Sequence, residues 1–231
     1  MFFFDLTYLL YLAPALIFGI YAQGKVKSTY QKYSQVANRR GLTGAQAARY
    51  ILDSAGLQNV PVEHISGELT DHYDPRNKVL RLSDGVHNGR SVAALGIAAH
   101  ECGHALQHDT GYVPLTFRNS FFPVANIGSN LAFPLIFIGI LLGLGKGMIG
   151  GVLFDIGILG YAMAVVFSVV TLPVEYNASS RAMAVLTESG IVTTDENKHA
   201  KKVLDAAALT YVAAALSAIM TLLYLIGLRG E

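Results

Sequence analysis

The stretch His100-Glu101-Cys102-Gly103-His104 sets two histidines four residues apart with a glutamate between them. In an α-helix, positions i and i+4 lie on one face with their Cβ atoms about 5–6 Å apart, so both imidazoles can reach one metal ion. Glu101 then lies beside the ion and not on it. This is the H-E-x-x-H pattern of zinc proteases, in which the histidines bind zinc and the glutamate acts as general base.

The residues before this motif predict that it lies in a buried helix. Residues 91–99 read SVAALGIAA, a run of small and apolar side chains. A helix over residues 91–109 would carry the polar motif into an apolar interior, where polar groups need partners. We therefore predict one Zn²⁺ per chain, bound by His100 and His104, with Glu101 as the catalytic residue.

The composition indicates an integral membrane protein. The 231 residues are 52% hydrophobic and only 14% charged, and the mean hydropathy of +0.42 is high for a soluble domain. The net charge of +1 gives no reason to expect binding to nucleic acid. Four segments are long and apolar enough to cross a bilayer. They are residues 6–22, 122–145, 152–172 and 206–228.

The cationic residues predict the orientation in the membrane. Fifteen of the 17 Lys and Arg lie in the two polar stretches between spans, and only Lys146 and Arg229 lie on the other side. Cationic loops stay in the cytoplasm, most strongly near a span, as in residues 25–32. We predict a multi-pass protein of the cell (inner) membrane, with both termini outside and the active site cytoplasmic. A cleaved signal peptide is a weaker alternative, because residues 1–5 contain no cation.

The polar stretches predict the fold class and the domains. The fold class is a mainly α integral membrane protein with about four transmembrane helices and a cytoplasmic α+β zinc-metalloprotease domain. That domain contains a helix over residues 43–56 capped by Thr43, a small antiparallel sheet or hairpin with a turn at Asp74, and the H-E-x-x-H helix. An exposed edge of the sheet can hold a substrate as an added strand, or the sheet only packs the domain. The strands are residues 60–66, 68–74 and 78–84. The domains are 1–22 (first transmembrane helix), 23–121 (metalloprotease region), 122–172 (second and third transmembrane helices), 173–205 (cytoplasmic segment) and 206–231 (fourth transmembrane helix).

A catalytic zinc site needs a third protein ligand. The extended pattern H-E-x-x-H-x-x-G-x-x-H is broken, because Gln107 replaces its glycine and Thr110 its last histidine. His108 lies one helix turn further on, and ligands at 100, 104 and 108 would span about 12 Å. We therefore predict that His108 caps the helix or contacts the zinc ligands without binding the ion itself.

Glu175 is the best candidate for the third ligand. It follows Pro173, which can end or kink the third span, so Glu175 lies at the cytoplasmic boundary on the same side as the motif. Asp155 competes with it but precedes Pro173 by 18 residues, which places it about 27 Å away at the outer boundary. Asp155 is expected to pair with Lys146 or to lie at a solvated helix end.

Three segments carry a family resemblance. They read DHYDPRNKVLRLSDGVHNGRS (71–91), AAHECGHALQHDTGY (98–112) and LPVEYNASSRA (172–182). The chain resembles the neutral zinc metallopeptidases of the YugP type, multi-pass bacterial membrane proteins with a gluzincin-like site. The resemblance implies that His100, His104 and Glu175 bind zinc and that Glu101 is the base. Related membrane proteases of the CAAX-processing and heat-shock class have an aspartate four residues after the third ligand, where this chain has Ser179. The group that orients the histidine must then differ, and it is Asn177 or an acidic residue elsewhere.

These patterns predict a zinc-dependent endopeptidase that acts on a peptide or protein substrate associated with the lipid bilayer. Candidates for contacts to the oxyanion or the substrate are Tyr176, Arg181 and His199, among which spacing does not choose. Two alternatives remain. One is an intramembrane, site-2-like protease with the motif inside a span, and the other is a non-catalytic scaffold with a structural zinc. The sequence leaves the oligomeric state unknown.

Overall fold

The computed structural model describes residues 6–143 and 148–230. Within these ranges the chain forms seven α-helices and three β-strands. In chain order they are α1 Leu6–Ser34, α2 Gly44–Ser54, β1 Val62–Ile65, β2 His72–Asp74, β3 Val79–Ser83, α3 Asp84–His87, α4 Val92–Asp109, α5 Val113–Leu141, α6 Met148–Glu188 and α7 Thr194–Gly230.

Four of the described helices, α1, α5, α6 and α7, are long and apolar enough to cross a membrane. This agrees with the predicted fold class. The helices extend beyond the predicted spans, and α6 is the extreme case because it continues through Pro173 to Glu188. Of the two expectations for Pro173, an end or a kink, the structure excludes an end of the helix, and the position at which the third span leaves the membrane stays a prediction. Proline removes one backbone donor, a loss that membrane helices tolerate where neighbouring groups satisfy the freed carbonyl.

The chain divides into two compact units. One consists of the residues up to Tyr21, Thr116–Leu172, and the residues from Thr210 onward. The other consists of Ala22–Leu115 and Pro173–Leu209. The second unit contains the motif helix, the sheet and Glu175. The assignment of the predicted segments to the two sides of a membrane stays a prediction.

Glycines let two helices of the first unit approach closely. A Cβ on Gly128 of α5 would lie 2.9 Å from the carbonyl oxygen of Gly160 on α6, and one on Gly139 would lie 2.8 Å from that of Gly150. These two pairs also show that α5 and α6 run antiparallel. Small residues at such crossings are the usual way in which membrane helices pack, because lipid provides no hydrophobic force between them.

The partner of Asp155 in the first unit is Arg229. The Arg229 Nε donates to Asp155 Oδ1 at 2.6 Å and Nη2 donates to Oδ2 at 3.1 Å. The expected partner, Lys146, lies outside the described residues. A guanidinium can bind both carboxylate oxygens at once, which makes Arg229 the geometrically better partner.

The three strands of the second unit form a mixed sheet in the order β1-β3-β2. β2 and β3 are antiparallel, with Tyr73 opposite Leu80. Asp74 closes the turn between them by accepting from the backbone N–H groups of Arg76 and Asn77. β1 pairs with β3 in parallel, so the prediction of an antiparallel sheet is wrong for this strand. β3, with four of its five residues buried, takes the central position and leaves both edges to the less buried strands.

α4 belongs to the core of the second unit. Ser91 caps it by accepting from the N–H of Ala94, and the helix ends at Asp109, as predicted. Thr43 caps α2, also as predicted, and the structure shows that it does so in a capping box with Gln46. The buried side chains of α4 share one apolar core with residues from five other elements, which holds the motif helix rigidly. These residues are Ala47, Ala48, Ile51 and Leu52 of α2, Leu80 and Leu82 of β3, Val86 of α3, Ala182 and Leu186 of α6, and Ala200 and Leu204 of α7.

Candidate metal centre

α4 and α6 bring three metal-binding side chains together. The Nε2 atom of His100 lies 3.3 Å from Oε2 of Glu175, and Nε2 of His104 lies 3.5 Å from the same oxygen. One ligand atom from each residue lies within 4.8 Å of the other two. The side chains are only 14%, 12% and 5% exposed, in the order His100, His104, Glu175. The three residues predicted to bind zinc therefore converge in a nearly closed pocket.

The two nitrogen-to-oxygen distances in this group fit a tetrahedral zinc ion. Zinc binds histidine nitrogen and carboxylate oxygen at about 2.0–2.2 Å, so two ligand atoms on adjacent corners lie about 3.3–3.5 Å apart. The two nitrogen-to-oxygen distances of 3.3 and 3.5 Å match this value. Two histidines, one carboxylate and an open fourth position form the donor set of a catalytic zinc site, whereas structural sites have four protein ligands.

Gln107 determines which nitrogen of His104 carries the proton. Its Nε2 donates to the carbonyl oxygen of Val174 at 2.8 Å and to Oδ1 of Asn177 at 2.9 Å, so its Oε1 must be the atom that faces His104 Nδ1 at 3.0 Å. An amide oxygen only accepts, and Nδ1 therefore carries hydrogen. A neutral His104 then presents the Nε2 lone pair to the Glu175 carboxylate. Two acceptors at this distance need a proton or a metal ion between them, and a metal ion bound by His100, His104 and Glu175 meets that need for all three side chains.

Ser179 performs the corresponding role for His100. Its Oγ lies 3.1 Å from Nδ1 of His100, so with Nε2 directed at the ligand group the ring donates from Nδ1 to the hydroxyl. Ser179 lies four residues after Glu175, and its hydroxyl makes the contact to the histidine itself. Asn177, expected to orient a ligand histidine directly, instead bonds to Gln107 and accepts from Nε of Arg181 at 2.9 Å. Asn177 therefore acts on His104 through Gln107.

Glu101 lies next to the ligand group and is 8% exposed. Its Oε2 accepts from the backbone N–H of Tyr73 on the edge strand β2 at 3.1 Å. Burial raises the pKa of the Glu101 carboxyl to about 7, against the opposing effect of the His100 ring. β2 thereby fixes the side chain that the motif assigns to proton transfer.

Gly103 explains how α6 comes close enough to α4. A Cβ at this position would lie 2.5 Å from the carbonyl oxygen of Ala178 and 3.0 Å from its carbonyl carbon. No other residue fits, because the obstacle is backbone. Ala178 lies one turn after Glu175, so contact at Gly103 brings the carboxylate to the histidines.

The remaining residue of the motif, Cys102, faces away from the ligand group. It is fully buried, with its Sγ 3.7 Å from the carbonyl oxygen of Ala48. Burial strongly raises the pKa of its thiol, and a metal ligand must be a thiolate. Cys102 is a core residue.

Comparison with known proteins, like the geometry of the site, indicates a zinc-binding protein. A family model described as "Putative neutral zinc metallopeptidase" matches residues 8–230. The chain belongs to this family. It is 49% identical to the "Putative membrane protease YugP" of Bacillus subtilis (strain 168) over 211 residues, which are 90% of each chain. No solved structure matches it.

Membership in the neutral zinc metallopeptidase family identifies the cofactor as Zn²⁺, for which the group of His100, His104 and Glu175 is suited. The related membrane protease and the four apolar helices of the described residues place the chain in a membrane. The zinc cofactor and the membrane location both agree with the predictions from sequence.

The other residues predicted for the site, Tyr176, Arg181 and His199, lie in three different surroundings. Tyr176 is 50% exposed and lines a groove of about 540 Å³ together with Ser179. The guanidinium of Arg181 lies 5.8 Å from the centre of the Tyr112 ring. The ring of His199 stacks on Tyr33 at 4.9 Å. Of these three, Tyr176 has a side chain open to a substrate beside the site, and its role stays a prediction.

His108 does not join the ligand group found among the described residues. Its Nδ1 lies 2.9 Å from the hydroxyl of Tyr73, and Thr110, not His108, is the C-cap of α4. Tyr73 thus contacts Glu101 through its backbone and His108 through its side chain. His108 supports the strand that holds Glu101.

Sequence reasoning missed two contributors to the zinc peptidase site, Gln107 and Tyr73. In the sequence, Gln107 stands out only as a departure from the extended motif. A glutamine three residues after His104 on a buried helix face is nevertheless a usable signal for a hydrogen bond that supports the ligand. Tyr73 acts on Glu101 through its backbone N–H, which every residue except proline has. No side-chain pattern reveals such a contact.

Replacing Ser179 by Ala is expected to weaken zinc binding by about tenfold or somewhat more, because His100 loses the acceptor that fixes its ring. Ser180→Ala is the matched control, since the Ser180 hydroxyl donates only to the Tyr176 carbonyl of its own helix. Competition with a fluorescent chelator measures both affinities. Equal zinc affinity of the two variants would show that the contact to His100 does not orient the ring.

Proposed function

We propose that this protein is a membrane-embedded zinc-dependent endopeptidase that hydrolyses peptide bonds with Glu101 as general base. The observation that carries the proposal is that His100 Nε2 and His104 Nε2 lie 3.3 and 3.5 Å from Glu175 Oε2, as ligands of one zinc ion do, with Glu101 buried beside them. A bound zinc ion supplies the Lewis acid that polarises the scissile carbonyl and lowers the pKa of the attacking water.

The chain's own residues account for the remaining steps. Glu101 accepts the proton of the attacking water and passes it to the leaving amine, and its contact to the Tyr73 N–H holds it in position. Ser179 and Gln107 keep a proton on Nδ1 of each histidine, so that each Nε2 remains a lone-pair donor. Tyr176 is the best-placed candidate for a contact to the substrate.

We further propose that the active site faces the cytoplasm and that both chain termini lie outside. The second unit, which carries the site, contains 14 of the 17 Lys and Arg, and the positive-inside rule supports its retention in the cytoplasm. A peptide or protein at or near the inner face of the bilayer is then the expected substrate class.

The two alternatives have less support. An intramembrane protease would need the motif inside a span, whereas α4 is not among the four span candidates in the described ranges and packs in the core of the second unit. A structural zinc would need a fourth protein ligand, and Cys102, the motif residue able to supply one, faces Ala48.

Metal removal tests the proposal. Treating the purified protein with a zinc chelator is expected to abolish cleavage of casein or a quenched fluorescent peptide, and one equivalent of Zn²⁺ per chain should restore it. Elemental analysis measures the metal and fluorescence measures cleavage. Cleavage that persists in the metal-free protein would contradict a zinc mechanism. A zinc-loaded, folded protein that cleaves neither substrate would favour the scaffold.

A further inference from the structure

A cavity lies between α1 and α7 in the second unit, and the proposed peptidase reaction does not use it. Its volume is about 560 Å³. The lining residues recur at helical spacing on the two facing helices, so the cavity is formed by one stripe of each. These residues are Lys25, Ser28, Thr29, Lys32 and Tyr33 of α1, and Lys202, Asp205, Ala206 and Leu209 of α7.

The cavity is cationic. Three lysines line it, against one carboxylate, and both oxygens of that carboxylate, Asp205, accept from Lys201 at 2.7 Å. Neither Lys25 nor Lys202 forms an ion pair with any residue in the described ranges, and Lys32 lies 5.5 Å from the centre of the Tyr33 ring. Three like charges around one cavity repel one another, and a bound anion would relieve that repulsion.

The position of the cavity along the two helices indicates the kind of anion. The apolar run of α1 ends near Ala22, just before Lys25, and that of α7 begins near Ala206, which itself lines the cavity. The cavity therefore combines a cationic rim with an apolar wall where two candidate spans meet their polar extensions. The phosphate of an amphiphilic molecule matches both features, because the apolar part of that molecule can contact the apolar wall. A freely soluble anion has no apolar part to make this contact.

We propose that this cavity binds the phosphate headgroup of an anionic phospholipid. The lysines pair with the phosphate, and Ser28 and Thr29 provide hydroxyl groups on the same wall. The acyl chains leave the cavity past Ala206 and Leu209. The proposal depends on the membrane location and is independent of peptidase activity.

Lipid titration followed by native mass spectrometry tests this assignment on the full-length protein in detergent. The variant Lys25→Gln/Lys32→Gln/Lys202→Gln is compared with Lys27→Gln/Arg76→Gln/Lys198→Gln, which removes the same charge from positions that do not line the cavity. Phosphatidylglycerol retention is expected to fall about tenfold or more in the first variant and by less than about twofold in the second. Phosphatidylcholine, with no net charge, should be retained weakly by all three proteins.

Three outcomes would overturn the proposal. They are an equal loss in both triple variants, retention of phosphatidylcholine equal to that of phosphatidylglycerol, and displacement of the lipid by inorganic phosphate at the lipid's own concentration, which would make this a site for free phosphate. Zinc content reports whether each variant is folded. If the first triple variant does not fold, the single variants Lys25→Gln and Lys202→Gln are each expected to lose about fivefold in phosphatidylglycerol retention, and unchanged retention in both overturns the proposal.

Discussion

Replacing Glu101 by Gln is expected to lower the rate of peptide cleavage by about 10²–10⁴-fold and to leave the zinc content unchanged. The amide has nearly the same shape as the carboxylate, and its oxygen can still accept from the Tyr73 N–H, which Glu101 does at 3.1 Å. His100, His104 and Glu175 are untouched. What the variant loses is a group that can take a proton from the attacking water.

Elemental analysis and a quenched-peptide assay on one preparation measure both quantities. The control is Glu68→Gln, which removes the same charge from an exposed side chain of the same unit and should retain wild-type activity. Cleavage by Glu101→Gln at more than about one tenth of the wild-type rate would exclude Glu101 as the base. Loss of zinc together with activity would instead show that Glu101 is needed to assemble the site.

The parts of this fold that sequence predicts well are those fixed by local interactions. The motif helix, the Thr43 cap and the turn at Asp74 all depend on residues within about four positions of one another. The parallel pairing of β1 with β3 joins Val62 to Leu80 across 18 positions. It depends on which strand is buried most deeply, a property of the assembled core that no local pattern contains.

In the candidate site, too, the sequence predicts some residues and not others. His100, Glu101 and His104 follow from spacing within one helix, and the choice of Glu175 over Asp155 follows from topology, because Glu175 lies at the predicted boundary on the side of the motif. Gln107 does not follow in this way. Its role depends on the carbonyl of Val174, 67 positions away, and backbone atoms of α6 acquire a role only after α4 and α6 have packed.

Replacing Gly103 by Ala is expected to weaken zinc binding by about 10- to 100-fold and to lower cleavage by about 10²-fold or more. The added Cβ would lie 2.5 Å from the Ala178 carbonyl oxygen, whereas carbon atoms in proteins pack at about 3.5 Å or more. α4 and α6 must separate by about 1 Å to accommodate it. Zinc–ligand distances tolerate changes of only about 0.2 Å, so Glu175 moves out of bonding range of an ion held by the two histidines.

Gly24→Ala separates this clash from the general effect of the substitution, because a Cβ on Gly24 of α1 meets nothing within 4 Å. Alanine favours a helix over glycine by about 1 kcal/mol, so Gly24→Ala should be at least as stable as the wild type with unchanged zinc affinity. Chelator competition and thermal unfolding of the zinc-free proteins separate metal binding from folding. Wild-type zinc affinity in Gly103→Ala would mean that Glu175 reaches the histidines without the close contact between α4 and α6. Gly103→Ala could instead lose zinc affinity while the unfolding temperature of the zinc-free protein changes little. That result would show that Gly103 is needed for metal binding and not for folding, because the strain then arises only when Glu175 approaches the ion.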